Sequence, residues 1–263
     1  MISCDEIVVL VNSEDPAIHR AAAELARELG LRYVDGAKPQ AAVMLLVLDD
    51  DHLELRDAGG EPKERGVFVD FSSLHPKQAA RRGGFSRNQP LARAIGKSSK
   101  IVLDATAGLG HDAALLACMG YRVIAAERSP IIAALLRDGL RRALNDELLR
   151  DYFDDRLEVV NADARQVLGD QLIKPDAVYI DPMFPPKRKA SALAKKSIRL
   201  VRRIVGDDED AADLLEASRQ RVPRVVVKRP THAPPLAEKP TVSILAKLVR
   251  YDVYVASRSR TIA

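Results

Sequence analysis

The residues in this chain best placed to do chemistry are a few carboxylates and a pair of glycines, each standing just past a short apolar run. The most telling stretch is Ala177-Val178-Tyr179-Ile180-Asp181-Pro182-Met183-Phe184-Pro185-Pro186. Its apolar start reads as a strand that stops at Asp181, because Pro182 has no N–H and cannot continue a central ladder. An acid followed by proline and then an aromatic suits an amino group attached to a ring. Such a nitrogen is a poor nucleophile, since its lone pair is delocalised into the ring. The Asp181 carboxylate and the Pro182 carbonyl can each accept one of its N–H groups, which draws the lone pair out of conjugation and aims it. Phe184 can stack on the ring, a contact worth roughly 1–3 kcal/mol, and positioning of this kind supplies much of a rate. Asp181, Pro182 and Phe184 are therefore the candidate catalytic residues.

A second motif lies upstream in Val102-Leu103-Asp104-Ala105-Thr106-Ala107-Gly108-Leu109-Gly110-His111-Asp112. An apolar strand runs into a glycine turn and a helix follows. Gly108 and Gly110 permit tight turning and close approach of a ligand, and the start of the helix offers free N–H groups. The next apolar run, Val123-Ile124-Ala125-Ala126, ends in Glu127, 17 residues past Gly110. A carboxylate there can accept both hydroxyls of a ribose. A dinucleotide or S-adenosylmethionine would each use these two features, and a purely structural turn is the plainer alternative. The third glycine of a dinucleotide fingerprint is absent, with Ala113 in its place. Asp104 would repel a pyrophosphate but attract a cationic sulfonium or ammonium, which favours S-adenosylmethionine. In Asn161-Ala162-Asp163-Ala164, the acid is placed to bind an adenine amino group, to cap a helix, or both.

These residues need a frame that brings strand ends together. From residue 101 onward, strands are expected at 100–105, 122–127, 157–161, 177–180, 224–228, 242–246 and 251–256. Helices are expected at 110–119, 130–145, 164–168, 189–205 and 208–219. That alternation predicts a mostly parallel sheet with helices on both faces, which binds ligands at the carboxyl ends of its strands. Residues 1–71 read as a small α/β unit, with strands at 6–11 and 41–48, a helix at 15–29, and further strands near 52–54 and 67–71. Residues 72–100 form a basic connection, and 101–263 the catalytic domain.

Composition narrows the partners. Residues 1–65 hold 14 acids and 7 bases, whereas the rest holds 23 acids and 34 bases. A basic larger part suggests a polyanion. No apolar run is long enough to span a bilayer, and the acidic start, with Asp5 and Glu6, lacks the form of a signal peptide. Two separated cysteines, Cys4 and Cys118, fit reduced thiols in a cytoplasmic protein. No Cys/His cluster has zinc spacing, so no metal is expected, and His19, His52 and His75 read as surface or loop residues. No Gly-x-Ser-x-Gly elbow supports a hydrolase.

The segments Asp104-Ala-Thr-Ala-Gly-Leu-Gly110, Glu127-Arg128, Asp181-Pro-Met-Phe-Pro185 and Val225-Val-Val-Lys-Arg-Pro-Thr-His-Ala-Pro-Pro-Leu236 resemble, in one order, the bacterial ribosomal RNA small subunit methyltransferase J family. The likeness covers about residues 66–256. It implies a class I S-adenosylmethionine-dependent methyltransferase fold (Rossmann-like, seven-stranded) and methylation of the exocyclic N2 of a guanosine near the 3′ end of 16S rRNA. It also implies cofactor contacts at His111, Asp112, Glu127, Arg128, Asp163, Ala164 and Asp181, beside Asp104, Gly108 and Gly110. The family usually carries Arg where this chain has His111, so that contact is expected through backbone.

Two basic tracts flank the expected site. The first is Lys77, Arg81, Arg82, Arg87, Arg93, Lys97 and Lys100. The second runs from Lys187, Arg188 and Lys189 to Lys195, Lys196, Arg199, Arg202 and Arg203. Arg81, Arg82 and Lys187 to Lys189 are the expected contacts to 16S rRNA or the small ribosomal subunit, through phosphates that give affinity without sequence reading. Lys228 and Arg229, at a strand's carboxyl end, are expected at the rim to hold a phosphate or position the base. Two rivals stand beside this reading. One is an amino-methyltransferase acting on adenine N6 or protein glutamine, where Met183 would commonly be Pro. The other is a non-enzymatic RNA-binding protein that keeps the fold.

Overall fold

Capping chemistry sets the first helix. In the computed structural model, which describes residues 4–36, 40–60, 66–77, 84–183 and 196–256, α1 (Pro16–Leu29) starts where the Asp15 carboxylate accepts the Ala17 N–H at 2.7 Å. It stops at Gly30, whose left-handed backbone costs glycine little. Around it, β1 (Ile7–Asn12), β2 (Arg32–Val34), β3 (Met44–Asp49) and β4 (Leu53–Asp57) form a sheet in the order β2-β1-β3-β4, parallel except for β4. Of the strand expected at 67–71, only a bridge between Val67 and Leu55 forms. The short strand β2 was not expected.

The basic connection holds a helix of its own, α2 (Pro90–Ile95), with Leu91, Ala92, Ala94 and Ile95 buried. Arg87 is spent structurally: its guanidinium donates to the Met119 and Gly120 carbonyls and lies 4.2 Å from the Tyr121 ring centre. It is thereby withdrawn from the expected RNA-facing tract.

The second sheet is made of β5 (Ile101–Asp104), β6 (Arg122–Ala126), β7 (Leu157–Val160), β8 (Ala177–Ile180), β9 (Arg224–Pro230), β10 (Val242–Leu245) and β11 (Val249–Val255), in the order β10-β11-β9-β8-β5-β6-β7. All neighbours are parallel except at β11, which runs antiparallel to both β9 and β10. The class I methyltransferase fold is this arrangement. The near-continuous apolar strands reflect burial on both faces. They are covered by α3 (His111–Cys118), α4 (Pro130–Asn145), α5 (Glu147–Phe153), α6 (Ala164–Gly169), α7 (Lys196–Val205) and α8 (Ala211–Arg219). The chain leaves β5 toward β6 and later returns on its other side as β8, so the sheet's switch point lies between β5 and β8.

One hydrophobic cluster joins the two sheets, running from Ile7, Val9 and Leu46 through Val69 and Phe71 to Leu135, Leu136 and Tyr179. The seam is tight at Gly139 of α4, where an added Cβ would fall 2.6 Å from the Cβ of Val69. Asp138 and Arg142 on the same helix reach the first unit through the Leu53 N–H and the Val69 carbonyl. Among the described residues, no helix is long and apolar enough to cross a membrane.

Candidate functional site

Both expected motifs end at the switch point. The β5 strand closes on Asp104, and its turn continues through Thr106 to Gly110, where α3 begins. The β8 strand closes one residue before Asp181. The two are tied directly, because Thr106 Oγ1 accepts the Asp181 N–H at 2.7 Å.

Glu127, at the end of β6 and only 7% exposed, supports the glycine turn. Its two carboxylate oxygens accept the Gly108 N–H at 2.9 Å and the Ser129 N–H at 2.7 Å. Burial pushes its pKa up, against the pull of those two N–H groups. Asn161 is held by the Glu127 carbonyl at 2.8 Å. Asp163 caps α6 by accepting the Arg165 N–H at 2.8 Å, and Ala164 is buried behind it. Asp163 and Ala164 line the same cavity as Gly108, Glu127 and Asp181.

A second cavity adjoins the first and shares Gly108, Asp181 and Met183 with it. It is lined by Asp104, Gly110, His111, Asp112, Tyr179 and Lys228. Lys228 Nζ stands 2.8 Å from Asp112 Oδ2 and 2.8 Å from Asp181 Oδ2, and the Tyr179 hydroxyl donates to Asp112 at 2.6 Å. Burial works against the charge on Asp112, but Lys228 beside it outweighs that and holds the carboxyl below its ordinary value. Asp104 is 2% exposed. Burial, with Asp112 and Asp181 close by, pushes its carboxyl well above the ordinary range. Asp104 therefore attracts a cation less than an open carboxylate would, which weakens the electrostatic reason given for it from sequence. Burial also raises the Asp181 carboxyl, while Lys228 pulls it down. The Asp181 side chain nonetheless keeps 39% of its surface exposed, where the two cavities meet.

Several expectations move. The Arg128 guanidinium is engaged by Asp208 at 2.6 Å and Asp210 at 3.2 Å, in a network that also holds Arg165 and Asp163. Asp208 in turn grips the loop after Asp181: its carboxylate accepts the Met183 N–H at 2.6 Å and its own N–H donates to the Met183 carbonyl at 3.1 Å. Arg229 is not at the rim. It is 6% exposed and its guanidinium donates to the Pro234 carbonyl at 2.7 and 3.0 Å, which withdraws the expected phosphate contact. Lys228 also points inward to the carboxylates, not out to a phosphate. Arg202 and Arg203 pair with Asp207 and Asp57. Phe184, Arg81, Arg82, Lys187, Arg188 and Lys189 lie outside the described residues.

Sequence reading missed Thr106, Tyr179 and the Asp208–Asp210 turn. Tyr179 carried a signal, since it shares a strand face with Asp181 two residues on. Among the histidines, His19 is held by Tyr33 and the Ser13 carbonyl. His52 packs 4.3 Å from the Phe68 ring beside Asp49 and Glu54, so both are more structural than surface residues. Glu54 is already committed to Arg56 and the Gly66 N–H.

The comparisons with known proteins agree with this architecture. Residues 24–256 match a family model described as "Putative SAM-dependent methyltransferase". A protein of Pectobacterium atrosepticum named ribosomal RNA small subunit methyltransferase J is 44% identical over 92% of this chain and 97% of its own. One of the same name from Salmonella typhi is 42% identical over 95% and 98%. The chain belongs to this methyltransferase family. The crystal structure of a SAM-dependent methyltransferase from Neisseria gonorrhoeae superposes with a TM-score of 0.73 at 32% identity, over 96% of this chain and 97% of that one.

The family's cofactor is S-adenosylmethionine, and the residues present fit it. Glu127 and Asp163 line the first cavity, and their carboxylates are of the kind that could accept hydroxyl and amino groups of a nucleoside; the glycine turn and the start of α3 border the second cavity, where the rest of the cofactor could lie. When bound, the cofactor supplies an electrophilic methyl group.

Proposed function

We propose that the chain methylates the exocyclic N2 of a guanosine in 16S rRNA, as free RNA or within the small ribosomal subunit, in the cytoplasm. The observation that carries the chemistry is the position of Asp181. It is anchored to the glycine turn through Thr106, and its carboxylate is open where the nucleoside and methionine cavities meet. The names of the relatives supply the RNA.

In this reading, Asp181 and the Pro182 carbonyl accept the two N–H groups of the amine. The Asp181 carboxylate would take the proton that the methylated nitrogen loses, once the bound cofactor has supplied the methyl group and left as the neutral thioether. Glu127, Asp163 and Ala164 hold the nucleoside half of the cofactor. Gly108, Gly110, His111, Asp112 and Asp104 border its methionine half, with His111 acting through backbone. Phe184 stacks on the base, and Arg81, Arg82 and Lys187 to Lys189 bind phosphates.

Asp181→Ala tests the reading. The variant is expected to keep its circular dichroism spectrum and urea midpoint while transferring no labelled methyl to small-subunit RNA. Wild-type turnover in that variant removes the mechanism. Mass mapping of nucleosides in small-subunit rRNA from a deletion strain tests the substrate, and loss of an adenine or protein mark in its place overturns the guanine assignment.

A further inference from the structure

We propose that Lys228 is a positioning residue for the transfer. By bridging Asp112 and Asp181, it favours the ionised Asp181 carboxylate and fixes its direction toward the amine. This rests on the role given to Asp181 above.

Three carboxylates gather at this point from three elements: Asp104 closing β5, Asp112 on α3 and Asp181 after β8. Like charges this close cannot all stay ionised without a cation between them. Lys228, from β9, is that cation, and it touches two of the three at 2.8 Å. The Tyr179 hydroxyl takes a share of Asp112. Tyr251 from β11 and Asp208 from the turn before α8 act on the group from further away, and His111 and Arg202 line the same cavity.

An ammonium pinned on both sides has no freedom to swing out to a phosphate, but it can fix a carboxylate's direction. The chemistry gains in two ways. A deprotonated Asp181 can accept an N–H, whereas a protonated one would spend an oxygen as a donor. After the N–C bond forms, the nitrogen must lose a proton. When Asp181 takes it, Lys228 keeps Asp112 as its counter-ion, so no buried charge is left alone.

Lys228 should therefore set the acidic limb of the rate profile, and two substitutions move that limb in opposite directions. Lys228→Met removes the cation and raises the Asp181 pKa. Asp112→Asn leaves Lys228 to Asp181 alone and lowers it. Turnover of small-subunit RNA with labelled cofactor would be followed from neutral pH down through the acidic limb, with cofactor affinity measured by calorimetry. The expected result for Lys228→Met is a limb about one unit or more higher, with kcat roughly tenfold lower on the acid side of the wild-type limb and little changed well above it. Its KM for RNA should be little changed, and Lys228→Arg should restore the limb. The Asp112→Asn limb should move down.

Carbon-13 titration of the Asp181 carboxyl in the protein without RNA reads the same shifts, and needs no turnover. A wild-type protein that leaves the RNA unmethylated refutes the proposed function, while the titration still judges the clamp. A Lys228→Met limb and titration matching wild type, or a defect confined to KM for RNA, overturns the proposal. If Lys228→Met does not fold, an Asp112→Asn limb that stays or rises overturns it alone.

Discussion

Exchanging Gly110 for alanine adds one carbon at the most constrained point of the cofactor turn. Gly110 has φ +75°, and a side chain there costs about 1–2 kcal/mol from backbone conformation alone. The new Cβ would also fall 2.2 Å from Cδ1 and 3.3 Å from Cγ of Leu136. Leu136 is completely buried in α4, so it cannot swing clear without displacing the core, and overpacking of this kind costs about 1–3 kcal/mol. The expected total is about 2–5 kcal/mol, leaving a folded but weakened protein if its stability is the usual 5–15 kcal/mol, roughly. Gly108→Ala is the internal control. Gly108 has φ +54°, but its Cβ would meet nothing nearer than the Thr106 carbonyl oxygen at 3.9 Å, so only the conformational cost of about 1–2 kcal/mol applies. Urea unfolding of both variants isolates the Leu136 contact as their difference, about 1–3 kcal/mol. Calorimetry with S-adenosylmethionine should show the larger affinity loss at Gly110, where the turn must shift. A Gly110→Ala protein no less stable than Gly108→Ala refutes the packing argument.

Two further expectations follow from titrating groups. Burial pushes the Cys118 thiol up to about 12, so Cys118 should resist aromatic disulfide reagents near pH 8 and react only in denaturant; prompt labelling of the native protein contradicts this. Asp138 is partly buried, but Arg141 and Arg142 outweigh that and hold its carboxyl below the ordinary value. Its stabilisation is therefore present above the unfolded carboxylate pKa of about 3.9 and lost as pH falls through the lower folded value. Urea midpoints should drop across that range in the wild type and less so in Asp138→Asn, which is also weaker at neutral pH. Equal acid dependence in the two would exclude Asp138.

The helix at 130–145 and the strand at 177–180 coincide with the spans expected from sequence. For the helix the determinants are local: Pro130 lies in its first turn, and in the structure the Ser129 hydroxyl accepts the Ile132 N–H at its start. Glu127 and Asp181 were legible for a related reason: each ends an apolar strand, and strand ends meet at the switch point of such a sheet. What was not legible depends on pairing between distant segments. Lys228 and Asp112 lie 116 residues apart, and Arg128 meets Asp210 across 82. Nothing in local spacing says that Lys228 faces two acids. The helices α2 and α5 were missed because each is under two turns long, too short to display a period.

The closeness of Val69 to Gly139 has a consequence for how this protein can be cut or grafted. The helix that carries Gly139 starts directly behind Glu127, so the small sheet leans on the same rod that begins beside the acid supporting the glycine turn. The first unit is thus a buttress and not a detachable address label. Removing it would bare a glycine-notched, leucine-rich flank to water, and the shortened enzyme would trade a wall of its own fold for an adhesive surface.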